Sequence, residues 1–566
     1  MRYVALNAAK YGKPNEKAVM GKIMAEMPEM RNRAKEVLEV VRECIEEFES
    51  MSEEEKKILM NLMTSSVKKG EIEGIEETGK IEKIKKRKLP ELPNAEEGKV
   101  VMRFAPNPNG PPTLGSARGM VVNDEYTKIY KGKMIIRFDD TDPRIKRPML
   151  EAYRWYLEDA EWLNVKPHKV IYASKRIPLY YRYIKKLLEM EKAYPCFCSR
   201  EEFKKYRDSG IECPHRNTSA EQSLEVWERM LSGEYEEGEV VIRIKTDMKH
   251  KDPAIRDWVA FRIVKSDHPL VGDRYIVYPT LDFESAIEDH ILGITHIIRG
   301  KDLIDSERRQ RYIYNYFGWK YPVTKHWGRV KIHEFGKLST SEIRKRIESG
   351  EYEGWDDPAL PTIRAFRRRG FKAEAIREFL LSLGVGENDV AVSLKNLYAE
   401  NRKLVDKEAN RYFFVWNPIE VKIEGLPEKV KVKMQKNPEN DELRELYGDE
   451  SILVTEDDWN RFKEGDIVRL KGFCTVRVGD KKDRKLEFLS WEMKGAKKGK
   501  NIVHWLSWHD SIVCVVVGDK PMLKWGGFVE KNAVHDVGKV VQFERFAFCK
   551  IEIAGEDGIR AIYTHP

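Results

Sequence analysis

Residues 100–118 read VVMRFAPNPNGPPTLGSAR, and residues 134–142 read MIIRFDDTD. The first stretch opens with a short apolar run suited to a buried strand. It crosses a Pro/Gly-rich loop from Pro106 to Gly115 and enters a helix at about 116–130. Gly132 then precedes a second strand at 134–138, which ends in Asp139, Asp140, Thr141 and Asp142. Strand, helix and strand in this order form a βαβ unit, which predicts an α/β fold with a parallel sheet. In such open sheets ligands sit beyond the carboxyl ends of the strands, where the loop and the acids both fall. A glycine-containing loop that opens a helix is also an anion site, because free N–H groups and the helix dipole favour phosphate. Gly110 and Gly115 would admit a nucleotide close to the backbone, and Thr113 and Ser116 could donate hydroxyl hydrogen bonds. The loop is neither a Walker loop nor a dinucleotide fingerprint, and alone it reads equally as a capped helix start.

Outward from this unit the chain changes character several times. Residues 14–90 read as helical, with Leu38, Val41, Ile45 and Phe48 on one face. Ser52 and Glu55 have capping-box spacing, and residues 81–94 resemble a linker. Residues 195–290 mix helix and strand, and 355–405 are helical and Arg-rich. From about 411 short alternating segments such as 430–434, 467–470 and 475–478 predict an all-β region of one or two barrels. The expected domains are 1–97 (helical), 98–345 (catalytic, with an insertion at about 195–290), 346–410 (helical) and 411–566 (β).

Composition narrows the class. The 566 residues carry 102 Lys and Arg against 94 Asp and Glu, a formal charge of +8. That excess is compatible with a polyanionic partner without demanding one. An aromatic content of 10% excludes a wholly disordered chain. Apolar runs such as 512–517 are far short of the roughly 20 residues that span a membrane. Residues 1–7 lack a secretory apolar core, and seven cysteines in this length make no disulfide framework, so a cytoplasmic protein is expected.

The loop at 103–118 resembles the HIGH signature of class I aminoacyl-tRNA synthetases, with the closest match in the archaeal-type form of the glutamyl/glutaminyl branch. Lys337-Leu338-Ser339-Thr340-Ser341 is similar to the KMSKS loop of that family. Between them stand RFDDTDP (137–143) and DHILGITHIIRG (289–300), and WDDPALPT (355–362) follows, all in family order. The resemblance covers nearly the full chain. It implies a Rossmann-type catalytic core, an inserted acceptor-binding region, a helical stem-contact region and C-terminal anticodon-binding barrels. The implied activity is amino-acid activation by ATP with magnesium, followed by transfer to the 3′ adenosine of tRNA.

The resemblance also assigns roles residue by residue. It implies that ATP is held by Pro106, Asn107, Gly110, Thr113, Leu114, Gly115, Ser116, Lys337, Ser339 and Ser341. Both histidines of HIGH are replaced, by Thr113 and Ser116, and the second lysine of KMSKS is Thr340. Lys337, helped by Arg344 or Lys345, would then stabilise the phosphates, making Lys337, Thr113 and Ser116 the catalytic set. Arg103 and Arg299 match positions that face the amino acid, and a guanidinium fork suits a carboxylate. Asp139 would hold the substrate ammonium, and Asn107 would bind substrate as well. In the glutamine-specific branch the position of Arg299 is typically not arginine, so L-glutamate and tRNA(Glu) are the expected substrates. Charging of tRNA(Gln) stays open. Leu281 stands where bacterial relatives usually carry a tyrosine. The alternatives are a glutaminyl enzyme of the same branch, or a tRNA-binding relative that has lost activation.

Cys196, Cys198, Cys213 and His215 read C-x-C, fourteen residues, C-x-H, a donor set for structural zinc. Arg364 with 367–369, and Lys494 with Lys497, Lys498 and Lys500, are candidates for neutralising RNA phosphates. Trp416, Phe473 and Trp491 are aromatics available for base stacking. A monomer without membrane contact is expected.

Overall fold

A computed structural model describes residues 4, 7–8, 13–26, 34–51, 56, 89–335, 340–492 and 501–566. The chain divides into two compact units, 1–83 and 84–566. In the smaller, helices α1 (Glu16–Glu26) and α2 (Ala34–Ser50) share a core of Val19, Ile23, Val41 and Phe48, with Ile45 packed on it. Val41, Ile45 and Phe48 lie on the face expected from the helical period, while Leu38 is not part of this core. The capping pair Ser52 and Glu55 and the linker at 81–88 lie outside the described residues.

The larger unit begins earlier than residue 98. Leu92 packs with Val100, Met102 and Tyr126, which ties the segment from 89 onward to the sheet. That sheet holds β1 (Val101–Phe104), β2 (Lys133–Phe138) and β3 (Lys169–Tyr172). A separate antiparallel sheet of β4 (Ala193–Cys196), β5 (Val241–Ile244), β6 (Val259–Ile263) and β7 (Val277–Pro279) forms the insertion. The chain then returns to the first sheet with β8 (His296–Gly300) and β9 (Val323–Trp327). The order is β3-β2-β1-β8-β9, and every pairing is parallel. Strand order reverses between β1 and β8, which opens a crevice at their carboxyl ends.

Helix α3 (Leu114–Ile129) runs from β1 to β2 and buries Leu114, Ala117, Met120 and Val121. Its core is shared with Ile363, Phe366, Phe371, Ile376 and Phe379, so the helical region after 346 packs as part of the catalytic body. Beyond 410 lie two seven-stranded sheets and a hairpin of Val430–Gln435 with Leu443–Gly448. Each large sheet has its own core, one built around Val421, Val468 and Trp505 and the other around Phe414, Val516 and Ile551. Among the aromatics considered for stacking, Phe473 is buried at 3% exposure and Trp416 packs on Phe414 and Phe546. Trp491 is partly exposed beside Phe488.

The Arg-rich run has a largely structural explanation. Arg369 is buried and donates to the carbonyls of Tyr563 and Thr564, while Arg368 pairs with Glu552 and Arg364 with Glu158. Only Arg367 of these four is exposed. The lysine run at 494–500 lies outside the described residues.

Candidate active site

The Pro/Gly-rich loop expected to hold the nucleotide is pinned by the later motifs. Thr113 bridges Thr362, the Leu114 N–H donates to the Pro361 carbonyl at 2.8 Å, and the Ile363 N–H donates to Pro112 at 2.9 Å. Arg344, on helix α4 (Thr340–Glu348), donates from Nη2 to the Asn109 carbonyl at 3.0 Å. A Cβ on Gly110 would lie 2.5 Å from Thr340 and 3.1 Å from the Trp355 ring, so glycine is required there for close packing of these three segments. Gly115 faces open space beyond Thr113, as a backbone anion site needs.

Thr113 and Ser116 form a reciprocal capping box. The Thr113 N–H donates to Ser116 Oγ at 2.9 Å, and the Ser116 N–H donates to Thr113 Oγ1 at 3.3 Å. The capped-helix reading is therefore correct as geometry, and it is compatible with the expected anion site because the cap also presents the helix mouth. Lys337 and Ser339 lie outside the described residues, while Thr340 and Ser341 open α4 at the edge of the loop.

A cavity of about 480 Å³ sits beside this loop at the carboxyl edge of β1, β2 and β8. Arg103, Asn107, Asp139 and Arg299 line it together, so the four expected amino-acid contacts converge. Pro106 and the rest of the loop are brought alongside, since the Asp139 N–H donates to the Pro106 carbonyl at 3.0 Å and Asn107 Nδ2 donates to the Asp139 carbonyl at 3.0 Å. Leu281 also lines the cavity, at the start of the helix Leu281–Ile291.

Electrostatics identify what the cavity accepts. Arg103 donates to both oxygens of Asp289, at 3.1 and 3.4 Å, and Arg299 Nη2 lies 3.8 Å from the same carboxylate. Arg137 adds a third guanidinium, 2.6 Å from Asp289 and 2.6 Å from Asp139. Burial would raise the Asp289 carboxyl, but Arg103, Arg137 and Arg299 outweigh it and hold it at about 2. Burial lowers the Arg299 pKa from its ordinary value, and neighbouring Arg103 adds to the effect. Among the described residues Arg299 Nε and Nη2 are buried without a hydrogen-bond partner. A buried cation with unfilled donors calls for an anionic acceptor. Asp139 is already engaged by Arg137, yet a carboxylate has about four lone-pair sites, so an ammonium can still be accepted.

Sequence reading missed Asp289, Arg137 and Gln310. The first two stand inside the quoted motif blocks, and the signal was an acid opening the block that ends in Arg299. Gln310 lies on the helix Ile304–Phe317, where no motif marks it.

The cysteine–histidine cluster is assembled as expected. The four ligand atoms of Cys196, Cys198, Cys213 and His215 lie within 4.8 Å of one another, with Cys196 Sγ 4.0 Å from Cys213 Sγ and Cys198 Sγ 3.4 Å from His215 Nδ1. Tetrahedral zinc with bonds of about 2.3 Å spaces its sulfurs about 3.8 Å apart, so the donor set fits.

Comparison with known proteins bears on the same residues. Residues 99–407 match the family model of tRNA synthetases class I (E and Q), catalytic domain, and residues 409–492 match that of the anti-codon binding domain. The chain belongs to the class I tRNA synthetases. It is 68% identical over 567 residues to the Glutamate--tRNA ligase of Archaeoglobus fulgidus, covering 100% of this chain and 99% of that one. It is 52% identical to the Glutamate--tRNA ligase of Methanosarcina acetivorans (100% and 98% covered) and 46% identical to that of Pyrococcus furiosus (100% and 99%). Class I synthetases use ATP with magnesium, and this synthetase has no described helix long and apolar enough to cross a membrane.

Proposed function

We propose that the chain activates L-glutamate with ATP, forming glutamyl-adenylate, and transfers the glutamyl group to the 3′ end of tRNA(Glu). The observation that carries this reading is the pair of buried guanidinium groups, Arg103 and Arg299, which line one cavity and share one internal carboxylate, with Arg299 Nε and Nη2 left without hydrogen-bond partners among the described residues. The names of the full-length relatives agree with it.

The α-carboxylate of glutamate attacks the α-phosphorus of ATP, the bond to the bridging oxygen breaks, and pyrophosphate leaves. A ribose hydroxyl of the terminal adenosine then attacks the acyl carbon and AMP leaves. Neither step needs a side-chain nucleophile; positioning and charge stabilisation do the work. Arg103 and Arg299 grip the side-chain carboxylate, Asp139 takes the ammonium, and Asn107 contacts the substrate. Pro106, Gly110, Leu114 and Gly115 shape the ATP loop. The hydroxyls of Thr113 and Ser116 would reach the nucleotide from the helix mouth, and Lys337, Ser339 and Ser341 would bind its phosphates. Glutamine would turn an amide donor toward donor-only arginines, a mismatch of about 2–3 kcal/mol.

The test is exchange of labelled pyrophosphate into ATP with tRNA present. Glutamate should drive exchange about 30- to 150-fold better than glutamine; preference for glutamine would refute the assignment. Lys337→Ala should lose exchange with tRNA affinity kept, whereas a non-catalytic binder would have no exchange to lose.

Cys196, Cys198, Cys213 and His215 would hold structural zinc, bracing the insertion beside its sheet, with no part in the chemistry. The chain would act as a monomer in the cytoplasm.

A further inference from the structure

Behind Arg299 stands a side chain that no motif marks. Gln310 is 1% exposed and lines the same cavity as Arg103 and Arg299. Its Oε1 accepts from Arg299 Nη1 at 3.2 Å and from the Tyr321 hydroxyl at 2.7 Å. A guanidinium can only donate, so the amide oxygen must face Arg299 and the amide cannot be flipped. The NH2 end is then directed away from that pair, and both hydrogen bonds that Gln310 makes with the described residues fall on its oxygen. A buried carboxamide with its oxygen used twice offers its nitrogen as one more donor to whatever fills the cavity.

We infer that Gln310 is a specificity-determining residue: its Nε2 donates to the side-chain carboxylate of the bound amino acid, and Tyr321 is the positioning residue that fixes it. This deepens the proposed function and rests on glutamate being the substrate. With Arg103 and Arg299 it completes a wall of donors facing the side chain. Such a wall matches an acceptor-only carboxylate and leaves the NH2 group of glutamine facing donors.

The inference is tested with Gln310→Glu, which keeps shape but replaces the donor with acceptors. In tRNA-dependent pyrophosphate exchange, the glutamate-over-glutamine ratio of kcat/KM should fall at least 30-fold, chiefly through KM for glutamate, with KM for ATP unchanged. Tyr321→Phe keeps the donor and loosens its hold, so the ratio should fall by a smaller factor, about three- to ten-fold. An unchanged ratio in Gln310→Glu overturns the inference while wild-type exchange with glutamate stands. Absence of glutamate-driven exchange in the wild type would instead overturn the function itself. Should Gln310→Glu not fold, crystals of the wild-type protein soaked with glutamate decide. Nε2 within hydrogen-bond distance of the side-chain carboxylate supports the inference, and separation by more than about 4 Å overturns it.

Discussion

Arg299 does its work by burial. A guanidinium kept from water with Nε and Nη2 unfilled is a poor neighbour for anything except an anion. Arg299→Ala is expected to raise KM for glutamate by about 100-fold or more while leaving KM for ATP alone, read by tRNA-dependent exchange; equal losses for both substrates would mean that the arginine supports the fold instead. Asp289 supplies a pH dependence. Its folded pKa of about 2 lies below the ordinary 3.8, so its contribution is whole above 3.8 and is lost as pH falls through about 2. The amount at stake is about 2 kcal/mol. In urea titrations between pH 5 and pH 2, wild type should lose that increment and Asp289→Asn should not; parallel losses would contradict the role given to Asp289. At this scale the arginines were legible because their spacing within known blocks marked them. Asp289 acts by holding other side chains, and Gln310 stands on a helix that no motif marks, so their place beside the arginines shows only once the chain is folded.

Elements carry the site by fixing one another. The helix mouth of α3 is clamped by residues more than 200 positions away, through Pro361 and Arg344. Apolar runs bounded by the Pro/Gly-rich loop and by Gly132 located β1, α3 and β2 within a few positions, because both strands are buried along nearly their whole length. It did not reveal that Arg368 and Arg369 are structural, since a basic run looks alike whether its charges meet RNA or buried carbonyls. Arg369→Ala leaves two strand carbonyls, of Tyr563 and Thr564, without their donor. A cost of about 2–4 kcal/mol is expected, with tryptophan fluorescence showing the C-terminal sheets unfolding in a separate, earlier step. One unchanged transition would contradict that. In the insertion, metal analysis should find one zinc per chain, and Cys213→Ser or a chelator should release it and lower the melting temperature by several degrees without abolishing glutamate-driven exchange. Zinc-free protein with unaltered melting would sink the metal assignment.

Across the whole molecule, one catalytic body joins the parallel sheet, its insertion and the helices after 346, followed by two β-sheet cores. The sequence pattern foretold this order, with boundaries set a little differently at 89–97, where Leu92 is drawn into the sheet's core. What local pattern could not convey is that helices of the 355–405 region share a core with α3, because that contact depends on chain reversal rather than period. The arrangement places the cavity lined by Arg103 and Arg299 and the Pro/Gly-rich loop at one sheet edge, with a family-matched anticodon-binding region downstream. The most direct test is charging of purified tRNA(Glu) with labelled glutamate and, separately, labelled glutamine. The account predicts glutamyl-tRNA that depends on ATP, with glutamine about 30- to 150-fold less efficient. Efficient charging with glutamine, or binding of tRNA without any charging, would contradict it.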